Sequence, residues 1–217
     1  MTRGKEIIVD ARLAFFEKMS MSISHDIKNC LAIINENAGL LEDLALGAEQ
    51  GISLNPERLK DLSIKLKKQV HRANDIVVKM NRFACSIECP AQTVDLVESL
   101  KLMCALSTTS AAMQDKELKP DLPSRVVEII TFPAVLNQTI WMCIEDAIQA
   151  AGESRTLTLA LHTSRDGVKI IFKPLKNLRV TLRGLLHRQQ AGQELLSALG
   201  ASVTTGTSGD EMILLIP

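Results

Sequence analysis

Five consecutive residues, His25-Asp26-Ile27-Lys28-Asn29, carry the chain's most distinctive chemistry. They put an imidazole, a carboxylate, an ammonium and a carboxamide within two turns of one helix. An imidazole nitrogen is a nucleophile and a base in one ring, and an ordinary histidine, with a pKa of about 6.5, is mostly neutral at pH 7. A histidine used in this way must face water or a partner and not the core.

The surrounding pattern places it there. From Phe16 to Leu44 apolar residues recur at three and four: Phe16, Ile23, Ile27, Cys30 or Leu31, Ile34, Ala38, Leu41. The mean spacing near 3.5 suits a helix bundle or coiled-coil seam. At about 100° per residue, Ile23 and Ile27 bracket the seam and His25 falls on the opposite side. Asn29 shares its face and Lys28 lies one turn away. A second segment begins at Asn55-Pro56-Glu57, with Asn as N-cap, Pro at the first helical position and an acid in the first turn. Its apolar set is Leu59, Leu62, Leu66, Val70, Ala73, Ile76 or Val77, Met80 and Phe83, and the breaker-rich run Gly47 to Gly51 separates the two segments. Residues 8–88 are therefore expected to form a helical hairpin. One hairpin buries a single stripe on each arm, so two copies are expected to close a four-helix bundle as a homodimer.

Ser24-His25-Asp26-Ile27-Lys28-Asn29 resembles the phospho-acceptor box of two-component sensor histidine kinases, with Cys30 where proline is common and then Leu31. The long first helix, the loop and the second helix also resemble that family's dimerisation and phosphotransfer domain. The resemblance implies that His25 is the phospho-acceptor. Asp26 would orient the ring or take its proton, and Lys28 and Asn29 would steady phosphoryl oxygens.

Pro90 and a change of periodicity mark a boundary, giving a hairpin domain over residues 1–90 and a second domain over 91–217. In the second, Thr93 to Ala112 predicts a short strand and a helix, and Val126 to Thr131 is a β-branched run. Pro133 to Ala151 predicts a helix. Thr156 to His162 and Val168 to Phe172 flank the turn Ser164-Arg165-Asp166-Gly167. Gln193 to Leu199 is helical with Gly200 as its stop, and Ala201 to Thr205 and Met212 to Ile216 form a last hairpin. The whole is expected to be an α+β chain, with a helical hairpin followed by an α/β sandwich resembling the ATP-binding domain of histidine kinases.

On that resemblance the nucleotide site is degenerate. The helix Leu136 to Ala150 looks like the family's asparagine-bearing helix, and the positions that hold magnesium and phosphate oxygens there are Met142 and Asp146 in this chain. A thioether serves a hard cation poorly. The family's Asp-x-Gly-x-Gly and Gly-x-Gly loops have no counterpart either. After Phe172 the chain reads Pro174-Leu175-Lys176-Asn177-Leu178-Arg179, the second region reads Leu186-His187-Arg188-Gln189, and the only glycines nearby are Gly184 and Gly192. Glycine lets backbone approach phosphate closely. The expectation is a scaffold without its own cofactor, whose partner, the receiver domain of a response regulator, brings the aspartyl phosphate and the Mg²⁺.

Composition narrows the alternatives. Lys and Arg number 25 and Asp and Glu 25, so net charge is zero, with no basic block and few aromatics, which argues against nucleic acid as a partner. No apolar run approaches 18–20 residues, and the first residues carry no signal-peptide pattern, so a cytoplasmic protein without a membrane span is expected. The five cysteines form no zinc pattern. The leading expectation is a histidine phosphotransferase of a phosphorelay without kinase activity. Receiver specificity would fall on exposed positions near His25, such as Ala32 and Glu36. A pseudokinase that only binds a receiver or kinase, a receiver phosphatase with Asn29 placing a water, and a kinase with a divergent ATP site are the alternatives.

Overall fold

The computed structural model describes residues 2–87, 89–164, 166–176 and 190–217, with backbone alone for 2–12 and Gln190. Residues 177–189, including Gly184 and the Leu186-His187-Arg188-Gln189 stretch, lie outside the described residues.

Helix α1 runs over Thr2–Glu49 and α2 over Pro56–Ile87, forming a helical hairpin. The break comes where the sequence predicts it. Gly51 takes a positive φ of 87°, and the Asn55 carboxamide accepts from the Glu57 amide at 2.9 Å, capping α2. The α1 helix continues through Gly47 and Ala48, so the connection is shorter than the breaker run suggested.

The buried stripe differs in detail from the expected seam. On α1 it comprises Phe15, Met19, Ile23, Cys30 and Asn37, whereas Phe16, Leu31 and Ala38 are exposed. On α2 Leu62, Ile76 and Phe83 are buried, whereas Val70 and Met80 are exposed. Asn37 holds a seam position because its Nδ2 donates to the Ile33 carbonyl at 2.6 Å, so the polar group enters the interior already bonded.

The chain divides into two compact units, Ser20–Arg82 and the combination of Met1–Met19 with Phe83–Pro217. The second contains an α/β sandwich. Its elements are β1 (Gln92–Asp95), α3 (Leu96–Ala112), β2 (Glu117–Asp121), β3 (Glu128–Thr131), α4 (Pro133–Ala150), β4 (Thr156–Ser164), β5 (Gly167–Lys173), α5 (Gln190–Leu199), β6 (Ser202–Thr205) and β7 (Met212–Ile216). The main sheet has the order β2-β4-β5-β7-β6, parallel between β2 and β4 and antiparallel elsewhere, and β1 pairs with β3 in a separate antiparallel ribbon.

One face of the sheet is buried. Val168, Ile170 and Phe172 of β5 and Met212, Leu214 and Ile216 of β7 alternate with partly exposed neighbours, the period-two signature of a half-covered sheet. Helix α4 packs on β5 and lies against both α3 and α5. It contributes Leu136, Ile140, Ile144 and Ile148, and α3 contributes Leu96, Leu100 and Met103. The Asp95 side chain caps α3 by accepting from the Val97 amide at 2.9 Å.

Strand β2 has no counterpart in the sequence reading. It carries Pro120 and is largely exposed, which hides the alternation that marks a strand. Proline is tolerated because β2 is an edge strand with a partner on one side only.

The turn between β4 and β5 depends on Gly167. Its φ is 122°, and an added Cβ would run into the carbonyl of Ile216 on β7. Gly167→Ala is therefore expected to cost about 3 kcal/mol of stability. Urea unfolding would register this as a lower midpoint at unchanged slope.

Candidate functional site

His25 lies on the outer face of α1 with half of its side chain exposed, while the preceding and following seam residues Ile23 and Cys30 are buried. Its Nδ1 has two neighbours. The Asn29 amide nitrogen Nδ2 is 3.3 Å away, and Asp26 Oδ1 is 3.7 Å away. The Asn29 contact follows from helical spacing, since side chains four places apart are neighbours on one face.

These contacts bear on the tautomer. A carboxylate beside Nδ1 favours the proton on that nitrogen. The two ends of an asparagine amide are interchangeable in placement, so turning Asn29 presents its oxygen to the same proton. Nε2, on the far side of the ring, then keeps its lone pair. Asp26 is the more sheltered partner, with one fifth of its side chain exposed. Lys28 is exposed on the same turn, as are Ala32 and Glu36 further along. The structure thus brings His25, Asp26 and Asn29 into contact range, with Lys28 beside them on the surface.

The second group of interest is on α4. Met142 is half-buried and Asp146 is almost fully buried, at 3% exposure. Burial, and after it the negative charge of Glu145, push the Asp146 carboxyl from its ordinary 3.8 up to about 7. Asp146 Oδ2 has no hydrogen-bond partner, and neither do the buried Gln138 Oε1 and Asn137 Oδ1 on the same helix. Glu145 is tied to α3, accepting from Ser110 Oγ at 2.8 Å. Among the described residues, no group of three or more His, Cys, Asp or Glu side chains could hold a metal ion, and no helix is long and apolar enough to cross a membrane.

Other contacts at this end of α4 escaped the sequence. Phe15 packs edge-on to Phe83 at 5.2 Å and against Trp141 at 5.0 Å, with the Lys18 ammonium 5.2 Å from the centre of the Trp141 ring. Trp141 is half-buried in this cluster. Asn137 Nδ2 donates to Ser86 Oγ at 3.2 Å, linking α4 to the end of α2. Nothing local in the sequence signals contacts between residues 50 or more positions apart.

No family model and no curated protein matches this chain. Solved structures of histidine kinases and of a phosphotransferase do. A histidine kinase of Acinetobacter baumannii, AdeS, is similar at 13% identity over 82% of this chain and 92% of its own, with a TM-score of 0.45. A structure described as a bacterial phosphotransferase is similar at 14% identity over 93% of this chain and 95% of its own, with a TM-score of 0.47. The ATP-binding domain of PrrB from Mycobacterium tuberculosis is similar at 22% identity over 58% of this chain and 96% of its own, with a TM-score of 0.43. These likenesses concern fold, and the chemistry rests on the chain's own side chains.

The raised carboxyl on α4 has a consequence for stability. Unfolded, Asp146 ionises near 3.8, and folded it keeps its proton to about 7. Between those values the folded state binds more protons than the unfolded one. Stability therefore falls as pH rises from about 4 to 7 and levels off above that. Asp146→Asn removes the charge while keeping the shape. Its Tm is expected to exceed that of the wild type by several degrees at pH 8, the gap closing as pH approaches 4. A gap that does not vary with pH in scanning calorimetry would contradict this account.

Proposed function

We propose that the protein is a histidine phosphotransferase that relays a phosphoryl group between receiver domains through His25, without taking it from ATP. The observation that carries the reading is the half-exposed imidazole whose Nδ1 is flanked by Asp26 and Asn29, which leaves Nε2 as the nucleophile. In the first step Nε2 attacks the phosphorus of a receiver's aspartyl phosphate. The N–P bond forms as the O–P bond breaks, and the electron pair returns to the receiver's carboxylate. Asp26 stabilises the positive charge that develops on the ring by holding the Nδ1 proton. Lys28, exposed beside His25, is the side chain we assign to the phosphoryl oxygens, while Asn29 holds the ring from its Nδ1 side. The reverse attack by a second receiver's aspartate empties the site. Such a loose transition state needs positioning and charge neutralisation, which a rigid helix and the receiver's Mg²⁺ supply.

The α4 group supports the absence of ATP chemistry. Met142 offers a thioether, which serves a hard cation poorly.

The hairpin's remaining apolar side chains support a homodimer. Leu31 on α1 and Val70 and Val77 on α2 are exposed in the single chain, and Val70 and Val77 are one heptad apart. Light scattering is expected to give twice the chain mass of 23.8 kDa. Replacing Val70 and Val77 together by Glu should return it to the chain mass.

Phosphate tracing tests the chemistry. With a radiolabelled phospho-receiver, acid-labile label is expected on the wild type and none on His25→Ala. Asp26→Asn should slow transfer roughly 100-fold. Label arriving from ATP would make the protein a kinase. Label lost to free phosphate without any on the protein would make it a phosphatase. Tight receiver binding that survives His25→Ala without transfer would leave only a binding module.

A further inference from the structure

The cations of α2 have no part in the chemistry at His25. Between Asp61 and Asp75 this helix carries Lys65, Lys67, Lys68 and Arg72 and no acid. All four are exposed, and none makes a hydrogen bond or ion pair among the described residues. Lys65, Lys68 and Arg72 follow one another at three and four, so they form one stripe along a single face. Like charges at that spacing repel, a cost that the anionic surface of a partner would reverse.

The seam decides where the stripe faces. Within the Ser20–Arg82 unit the seam residues stand one heptad apart, Ile23, Cys30 and Asn37 on α1 and Leu62, Gln69 and Ile76 on α2. The residues just after them, such as Leu31 and Val70, are apolar, and those just before them, such as Asn29, Glu36 and Lys68, are polar. The two arms run in opposite directions, so in one view their rotations are reversed. Positions just before the seam therefore lie on one side of the hairpin on both arms, and positions just after it on the other. Lys68 thus shares a side with Asn29, whose amide nitrogen is 3.3 Å from His25 Nδ1. The apolar side opposite is the one assigned to the second copy. Counted back from the turn between Glu49 and Pro56 at equal rise, Arg72 comes level with Ile33, about 12 Å along the axis from His25. A small domain is about 30 Å across, so one seated on His25 reaches the stripe as well.

We propose that Lys65, Lys68 and Arg72 form a docking stripe for an acidic face of the receiver domain that exchanges phosphoryl groups with His25. This rests on the phosphotransferase reading and adds to it the kind of receiver the hairpin takes, one with carboxylates beside its aspartyl phosphate. Exposed charges at the rim of an interface act on encounter. They speed association and make it fall with salt, with little effect on the chemistry once the partner is seated. Lys28 serves the phosphoryl group, and the stripe serves the surface around it. Three cations on one face of a chain with zero net charge make a small footprint for a nucleic acid, and they stand on the side where an anionic protein partner arrives.

The test compares the full-length wild type with two double variants, Lys68→Glu with Arg72→Glu on the stripe and Lys60→Glu with Lys67→Glu on a different face of α2. Both alter the net charge equally, on the same helix and at exposed positions, so a general loss of charge or helicity affects them alike. The probe is a receiver domain of negative net charge, labelled on its aspartate with radioactive acetyl phosphate. Transfer is followed across receiver concentrations at about 50 mM and about 500 mM salt, which bracket weak and strong screening.

At low salt the stripe variant is expected to lose roughly tenfold in kcat/KM, while its rate at saturating receiver stays within about twofold of wild type and the control double matches wild type throughout. High salt should bring wild type down to the level of the stripe variant. Equal kcat/KM in the two doubles, or wild-type transfer that ignores salt, would overturn the docking stripe and leave phosphotransfer standing. If no label reaches the wild type, binding of the unphosphorylated receiver, read by fluorescence anisotropy, separates the two readings. Binding lost in the stripe variant alone would keep the stripe and remove phosphotransfer. Binding that is equal in both doubles, or absent from the wild type, would remove both.

Discussion

A helix 48 residues long that keeps one stripe of side chains out of water commits its opposite face to solvent. In α1 the stripe through Ile23, Cys30 and Asn37 is buried, so His25 is turned outward. The surroundings of His25 depend on this. Asn29, four places on, shares its face and reaches Nδ1, Asp26 lies beside the ring, and Lys28 is on the surface. The exposure of the imidazole follows from the 3.6-residue turn and from the seam that fixes the helix's rotation.

The sandwich is governed by the opposite constraint. Its α4 helix is buried on most of its circumference, and there the chain places Asn137, Gln138 and Asp146, three polar groups each with an unpartnered atom. Burying such groups costs free energy that a simple scaffold would avoid by using apolar residues. The carboxyl lowers this cost by keeping its proton.

The end of α2 is tied down by several weak contacts of different kinds. Phe83 engages Phe15, Ser86 accepts from Asn137, and Cys89 caps the Cys85 carbonyl. Each is worth about 1 kcal/mol on its own. Together they join residues from α1, α2 and α4 in one cluster.

The elements with strong local signals were legible in the sequence: the hairpin, the Asn55 cap, the helix from Pro133, the Asp166-Gly167 turn and the stop at Gly200, which takes a φ of 62°. Periodicity, caps and turn residues act over a few positions, so one chain suffices to read them. The same periodicity placed His25 outside the seam, and its identity supplied the chemistry. The choice between neighbours was made by the tertiary structure. Phe15 and Phe16 are equally apolar and both pack on Phe83, but Phe15 also meets Trp141 and is the one buried. Asn37 entered the seam in place of Ala38 because a hydrogen bond to Ile33 satisfies it there. Strand β2 exists because β4, more than thirty residues later, offers it an edge. The raised carboxyl of Asp146 is likewise a matter of burial and proximity. Residue type sets what a side chain is able to do, and only the folded surroundings set its dielectric, its partners and its access to water.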